Sequence, residues 1–239
     1  MVTVNILECP NTVSFTLSQN FFMEMLGEKE RQSVERTRKE KNKIEKILGW
    51  AMCRMEASSR YGVHPAEIRI DFHDKGKPFF PDFPDFKFNI THGGGIVAVA
   101  FCEHHEVGID VESITRKVNP MIAERYFTPA EADFLQKKPL QQRSHAFLRL
   151  WTIKEAYLKM TGDGLSKPLN SFEVQHHEDE IRIYEDGKMQ DCTVFQHETK
   201  QQQIITVCAS QQCLRMTRLP QSVLNTKKRP HTGSASRNS

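Results

Sequence analysis

Asp110 and Glu112 stand two residues apart in Val107-Gly108-Ile109-Asp110-Val111-Glu112, and about forty residues later Trp151-Thr152-Ile153-Lys154-Glu155-Ala156-Tyr157-Leu158-Lys159 adds Glu155 and Lys159. Three carboxylates and a lysine on two short segments suit chemistry that holds a divalent cation together with a phosphate. In the first segment Val107, Ile109 and Val111 alternate with Gly108, Asp110 and Glu112, which predicts a strand. Asp110 and Glu112 then leave the same face, about 6–7 Å apart at their origins. Two carboxylates on an apolar strand need a cation, a donor or water. In the second segment Leu148, Trp151, Ala156 and Leu158 keep a helical spacing, which sets Glu155 and Lys159 one turn apart on one face. Taken singly, Glu155 with Lys159 is a surface ion pair contributing about 0.3–0.5 kcal/mol, and a strand-borne Asp-x-Glu is a water-facing edge. Their order and spacing give the combination its weight.

The elements around them read as follows. Val2, Val4 and Ile6 alternate in a first strand over Met1 to Leu7, and strands are predicted over Glu67 to Phe72, Phe86 to Ile90 and Ile96 to Phe101. Helices are expected over Pro120 to Phe127 and over Pro129 to Gln136, the latter with Thr128 as cap, Pro129 at its first position and Glu131 at its third. Strand patterns recur at Glu180 to Tyr184, Cys192 to Phe195 and Ile204 to Cys208. Between Glu28 and Arg54 lie nine basic residues and five glutamates, with Ile44, Ile47, Leu48 and Met52 at inward helical positions. That is a solvated helix surface, or a cradle for an anionic ligand. Gly93, Gly94 and Gly95 form either a hairpin turn or a place where a ligand meets the backbone. Trp50 and Trp151 each open a helix followed by strands, 101 residues apart, a weak internal repeat.

The 239 residues are 38% hydrophobic and 26% charged with a net charge of +3, enough to bury a sizeable core and too little field to argue for nucleic acid. A basic module gripping nucleic acid through Glu28 to Arg54 is the contrasting reading. The interleaved glutamates and the lack of stacking aromatics there oppose it. No apolar run reaches the roughly 18 residues of a membrane span, and no secretory leader is evident, so a cytoplasmic protein is expected. Cys9, Cys53, Cys102, Cys192, Cys208 and Cys213 have no Cys-x-x-Cys spacing and read as reduced thiols.

The two opening motifs resemble (V/I)-G-(I/V)-D-x-E and W-x-x-K-E-(A/S)-x-x-K of the 4'-phosphopantetheinyl transferases of the surfactin-synthetase-activating (Sfp-like) type. The likeness extends to Gly76-Lys77-Pro78, to Phe88-Asn89-Ile90-Thr91-His92, to Arg125-Tyr126-Phe127-Thr128 with Glu131, and to Gly162-Asp163-Gly164-Leu165 with Ser171-Phe172. It runs from about Lys77 to Phe172. The resemblance implies an α+β fold built as a pseudo-twofold pair of αβ halves. Residues 1–104 would form the coenzyme A-binding half, 105–224 the half with metal and catalytic residues, and 225–239 a disordered tail. It implies transfer of 4'-phosphopantetheine from coenzyme A to a serine of an apo peptidyl or acyl carrier domain of a nonribosomal peptide or polyketide synthase, by a single-chain monomer. Asp110, Glu112 and Glu155 would hold Mg²⁺. Glu155 would also accept the serine proton, Lys159 would stabilise phosphate charge, and Lys154 would assist. Thr91, His92 and Lys77 would bind coenzyme A, Lys77 near the adenosine 3'-phosphate. Another Mg²⁺-dependent phosphotransferase is the nearest alternative, and the missing Gly-x-x-x-x-Gly-Lys-Ser/Thr loop opposes it. The family commonly has an arginine where this chain has Glu45, four residues before Gly49. Lys29, Lys43 or Lys46 would compensate, or adenosine would bind differently.

Overall fold

A computed structural model describes residues 1–10, 15, 19–177, 180–210 and 216–218. The tail expected over 225–239, and Cys213, lie outside them. The first half contains β1 (Val2–Glu8), α1 (Gln19–Met25), α2 (Glu28–Glu35), α3 (Glu40–Tyr61), β2 (Asp71–Phe72), β3 (Pro78–Phe79), β4 (Phe86–Gly93) and β5 (Ile96–Glu103). The second contains β6 (Val107–Ser113), α4 (Ala123–Tyr126), α5 (Pro129–Gln136), α6 (Leu140–Thr161), β7 (Phe172–His177), β8 (Glu180–Glu185), β9 (Lys188–Met189), β10 (Cys192–Glu198) and β11 (Gln203–Ser210). A last strand, β12 (Met216–Arg218), runs parallel to β1. It returns from the second half of the sequence to the first half's sheet.

Two sheets carry the molecule, one in the order β12-β1-β5-β4 and one in the order β10-β11-β6. Strand alternation explains how they stack. On β5, Val97, Val99 and Phe101 face α3, while Ile96, Ala98 and Ala100 turn to the other sheet and meet Val107, Ile109 and Val111 of β6 and Ile205, Val207 and Ala209 of β11. On its far side the second sheet buries Ile204 and Cys208 against Leu148, Ile153 and Ala156 of α6. The layers run helix, sheet, sheet, helix.

Neither tryptophan opens a helix as expected: Trp50 and Trp151 stand in the middle of the two long helices, which instead match each other in length and ending. Both α3 and α6 have 22 residues and end on a left-handed glycine, Gly62 (φ 70°) and Gly162 (φ 77°), whose N–H groups donate to Ser58 and Leu158 carbonyls. Glycine adopts that conformation without the penalty a Cβ brings. The glycine run closes the β4–β5 hairpin, with Gly94 and Gly95 both at positive φ as a two-residue turn requires. The capping box on α5 forms as expected, Glu131 N–H donating to Thr128 Oγ1 and Thr128 N–H to Glu131 Oε2.

Two expected elements differ. The strand predicted over Glu67 to Phe72 shrinks to Asp71–Phe72, preceded by a 3-10 turn at Pro65–Glu67. Ile68 and Ile70 do turn inward, but among the described residues no strand pairs with them, and the short partner strand opens on Pro78, which has no N–H. The helix over Pro120 to Phe127 divides into a 3-10 turn at Pro120–Ile122 and α4. Cys53, Cys102 and Cys208 lie in the core, Cys9 and Cys192 at its margin.

Candidate active site at the seam of two sheets

The seam forms where the edge of β6 meets β4. At an edge the backbone groups of Ile109 lack a ladder partner, and side chains take that place: Ile109 N–H donates to Asn89 Oδ1 at 3.0 Å, and Lys159 Nζ donates to the Ile109 carbonyl at 3.1 Å. Asn89 and Thr91 leave β4 on one face, so Thr91 follows Asn89 to the seam and donates to Asp110 Oδ1 at 3.3 Å. From α6, Lys159 Nζ reaches Asp110 Oδ1 at 2.5 Å and Thr91 Oγ1 at 3.3 Å.

Gly108 makes this approach possible. A Cβ there would stand 2.1 Å from the Ala156 carbonyl oxygen and 2.3 Å from Met160 N, so α6 lies directly on the bare backbone of β6. Asp110 and Glu112 share that face, and Glu155 and Lys159 descend on it. Gly108→Ala must push the helix off the strand, and a loss of about 1–3 kcal/mol is expected in thermal or urea unfolding. A variant as stable as the natural protein would disprove the close contact.

The acidic groups are held unequally. Asp110 is 7% exposed, and its Oδ2 has no hydrogen-bond partner among the described residues. Burial raises its carboxyl above the usual range, with Lys159 opposing. Glu112 pairs with Arg116; burial raises it too, Arg116 opposing and the Asp110 charge reinforcing. Glu155, half-buried, makes no hydrogen bond or ion pair among the described residues, and burial followed by the Asp110 charge raises it. Among the described residues, no three carboxylate, imidazole or thiol side chains already converge on one ion position. Lys159 and Arg116 hold two of the carboxylates instead. Even so, an unpartnered buried oxygen on Asp110 beside an unpartnered Glu155 is a hard-oxygen donor set that fits magnesium.

Several expected cofactor ligands lie elsewhere. Lys154 is fully buried; its Nζ donates to the Leu169 and Phe172 carbonyls at 2.8 and 2.7 Å and pairs with Glu131 at 2.8 Å, so it serves the core and not a phosphate. Lys77 donates to Glu106 Oε2 and the Met160 carbonyl, both at 2.6 Å, and to the Val107 carbonyl at 3.2 Å, which ties the loop after β2 to the end of α6. Its ammonium is pushed down by burial, Glu106 opposing, and no donor is left for a 3'-phosphate. Lys29 pairs with Asp71, and Lys46 donates to Ser33. Neither contacts the seam. His92 points off the opposite face of β4 to Thr91, toward α3, where Glu45 meets it.

Arg116 and Lys41 were not anticipated at the site. Arg116 stands four residues after Glu112, a spacing that in hindsight signals the pair. Lys41, one turn before Glu45, is the cation α3 presents there. The basic stretch from Glu28 to Arg54 is not an open cradle: Arg54 is buried in a two-pronged pair with Glu30 at 2.8 Å.

Acidic side chains, a lysine and a hydroxyl at the seam of two αβ halves are the equipment of an enzyme that transfers a phosphate-linked group. A family model described as the 4'-phosphopantetheinyl transferase superfamily matches residues 106–208, and one described as 4'-phosphopantetheinyl transferase, N-terminal, matches residues 15–104. The chain is 32% identical to 4'-phosphopantetheinyl transferase Sfp of Bacillus subtilis (strain 168), covering 79% of this chain and 84% of that one. It is 34% identical to another Bacillus subtilis 4'-phosphopantetheinyl transferase, over 69% and 73% of the two chains. With the enzyme gsp of Aneurinibacillus migulanus it shares 30% identity over 83% and 81%. The chain belongs to the 4'-phosphopantetheinyl transferase family.

Proposed function

We propose that this protein moves the 4'-phosphopantetheine group of coenzyme A onto a serine hydroxyl of an apo carrier domain, with Asp110, Glu155, Lys159 and Thr91 at the reacting centre. The observation that carries the assignment is the meeting of α6, β6 and β4 at one buried carboxylate, Asp110, which keeps an oxygen unpartnered.

The serine oxygen bonds to the phosphorus that bears the pantetheine arm. The bond from that phosphorus to the bridging pyrophosphate oxygen breaks, and adenosine 3',5'-bisphosphate leaves. The serine proton passes to Glu155, a carboxylate with no hydrogen-bond or ion-pair partner among the described residues. Lys159, whose donors go to Asp110 at 2.5 Å, to the Ile109 carbonyl and to Thr91 Oγ1 at 3.3 Å, would exchange the long Thr91 contact for a phosphate oxygen, and Thr91 would add its hydroxyl. Asp110, Glu112 and Glu155 would hold Mg²⁺, which when bound neutralises pyrophosphate charge. His92 serves the coenzyme A phosphates from the other face of β4.

Beside Glu112, Arg116 lines a groove of about 660 Å³ whose floor includes Phe147 and Trp151 and whose rim carries Lys117, Arg125 and Lys167. A cationic rim over an aromatic floor suits an acidic carrier helix delivering its serine. Arg125→Glu is expected to raise the KM for an apo carrier on the order of tenfold while leaving that for coenzyme A unchanged; equal effects on both would place the carrier elsewhere. No helix among the described residues is long and apolar enough to cross a membrane.

The decisive experiment incubates the protein with coenzyme A, Mg²⁺ and a panel of apo peptidyl and acyl carrier domains and weighs each carrier by mass spectrometry. One added phosphopantetheine on the serine is expected. No gain on any carrier would overturn the assignment.

A further inference from the structure

Helix α3 buries a carboxylate that the reaction leaves unused. The Glu45 side chain is 5% exposed; its Oε2 lies 3.0 Å from Nδ1 of His92, and its only other ion-pair partner among the described residues is Lys41, 3.8 Å from Oε1 and largely in solvent. A buried carboxylate is costly unless it is paired, so the imidazole is its main counterpart. His92 itself is 41% exposed. Among the described residues its ion-pair partner is Glu45 of α3, and its strand partner on β5 is Val97. A carboxylate on one ring nitrogen holds the ring plane and leaves the other nitrogen for a second partner.

We propose that Glu45 is a positioning residue: it accepts the Nδ1–H of His92 and so aims Nε2 at a phosphate oxygen of coenzyme A. This rests on the coenzyme A reading above. With Nδ1 turned to Glu45, Nε2 is the nitrogen left to meet the phosphate. An acidic residue at this position therefore does not face the phosphate. It stands behind the histidine, one ring away, and strengthens the contact that an acid in direct view of a phosphate would oppose.

Calorimetric titration of coenzyme A into the natural protein and into E45A, E45Q, H92A and E45A/H92A tests this, with melting curves to verify folding. E45A should weaken coenzyme A about tenfold or more, the lower end of the worth of one charge-assisted hydrogen bond. E45Q, which keeps an acceptor on Nδ1, should recover most of that loss. The double variant should bind no worse than H92A, because Glu45 acts only through the ring. Imidazole nitrogen NMR should show Nδ1 protonated in the natural protein and that preference lost in E45A. Equal effects of E45A with and without His92, or an unchanged imidazole spectrum, would overturn the inference. Tight coenzyme A binding without transfer to any carrier would instead remove the proposed reaction and leave the Glu45–His92 coupling to stand or fall on the cycle. A natural protein that does not bind coenzyme A overturns both.

Discussion

Glu155→Gln is expected to lower the rate of transfer by about 10²- to 10⁴-fold, the usual worth of a positioned general base, while its melting temperature in metal-free buffer stays at or above that of the natural protein. The opposite signs come from one observation. Glu155 is half-buried, has no partner among the described residues, and feels the Asp110 charge, so folding disfavours its ionised form. A carboxyl raised in the folded state favours folding while protonated, and that contribution fades as the pH climbs through its folded value. At neutral pH the ionised side chain is a burden that the isosteric amide lifts. Magnesium supplies the complementary measurement: it should raise the melting temperature of the natural protein by mass action and do so far less in E155Q. A variant with near-natural turnover removes Glu155 from the reaction. A marked loss of stability without metal would show that the carboxylate supports the fold.

Lys154→Ala should unfold with about 3–5 kcal/mol less stability, the loss that follows when one member of a buried pair is removed and the other stays behind. Opposite in charge and adjacent in sequence, Lys154 and Glu155 point about 100° apart around α6, and that angle separates core from chemistry. Lys154 sits 4.3 Å from the Phe172 ring centre and 5.3 Å from that of Phe127. It holds Glu131, which in turn caps α5 and accepts the Val174 N–H. Without the lysine, Glu131 is a lone buried charge and two carbonyls lose their donor. Urea unfolding measures the effect directly. A variant with unchanged midpoint but weakened coenzyme A binding would return Lys154 to the ligand.

Much of this site was legible in the sequence because its parts are periodic. Alternation around Asp110 and Glu112 and the four-residue step from Glu155 to Lys159 each define a face, and Gly108 between them marks where the faces touch. Thr91 was named through the family resemblance; the chain turns only after Gly93, so Thr91 stands within β4. Depth was not legible. Lys77 and Lys154 have the right type for phosphate and stand inside the right motifs, yet whether an ammonium meets a ligand or a carbonyl depends on elements remote in sequence, such as Glu106 and Glu131. Glu45 and His92 are far apart in sequence, and no pattern joins them until α3 lies across β4. The lost strand at Glu67 to Phe72 failed for the same reason: alternation reports an inward face but not whether a neighbouring strand exists to pair with it.

The stacked sheets bear on whether either half can stand alone. Each half covers one side of its sheet with its own long helix and leaves the other side, with Ile96, Ala98 and Ala100 in one case and Ile109, Ile205 and Val207 in the other, to be covered by its counterpart. Severed from its partner, either half would present that apolar surface to water. Either half expressed alone is therefore expected to associate through that surface.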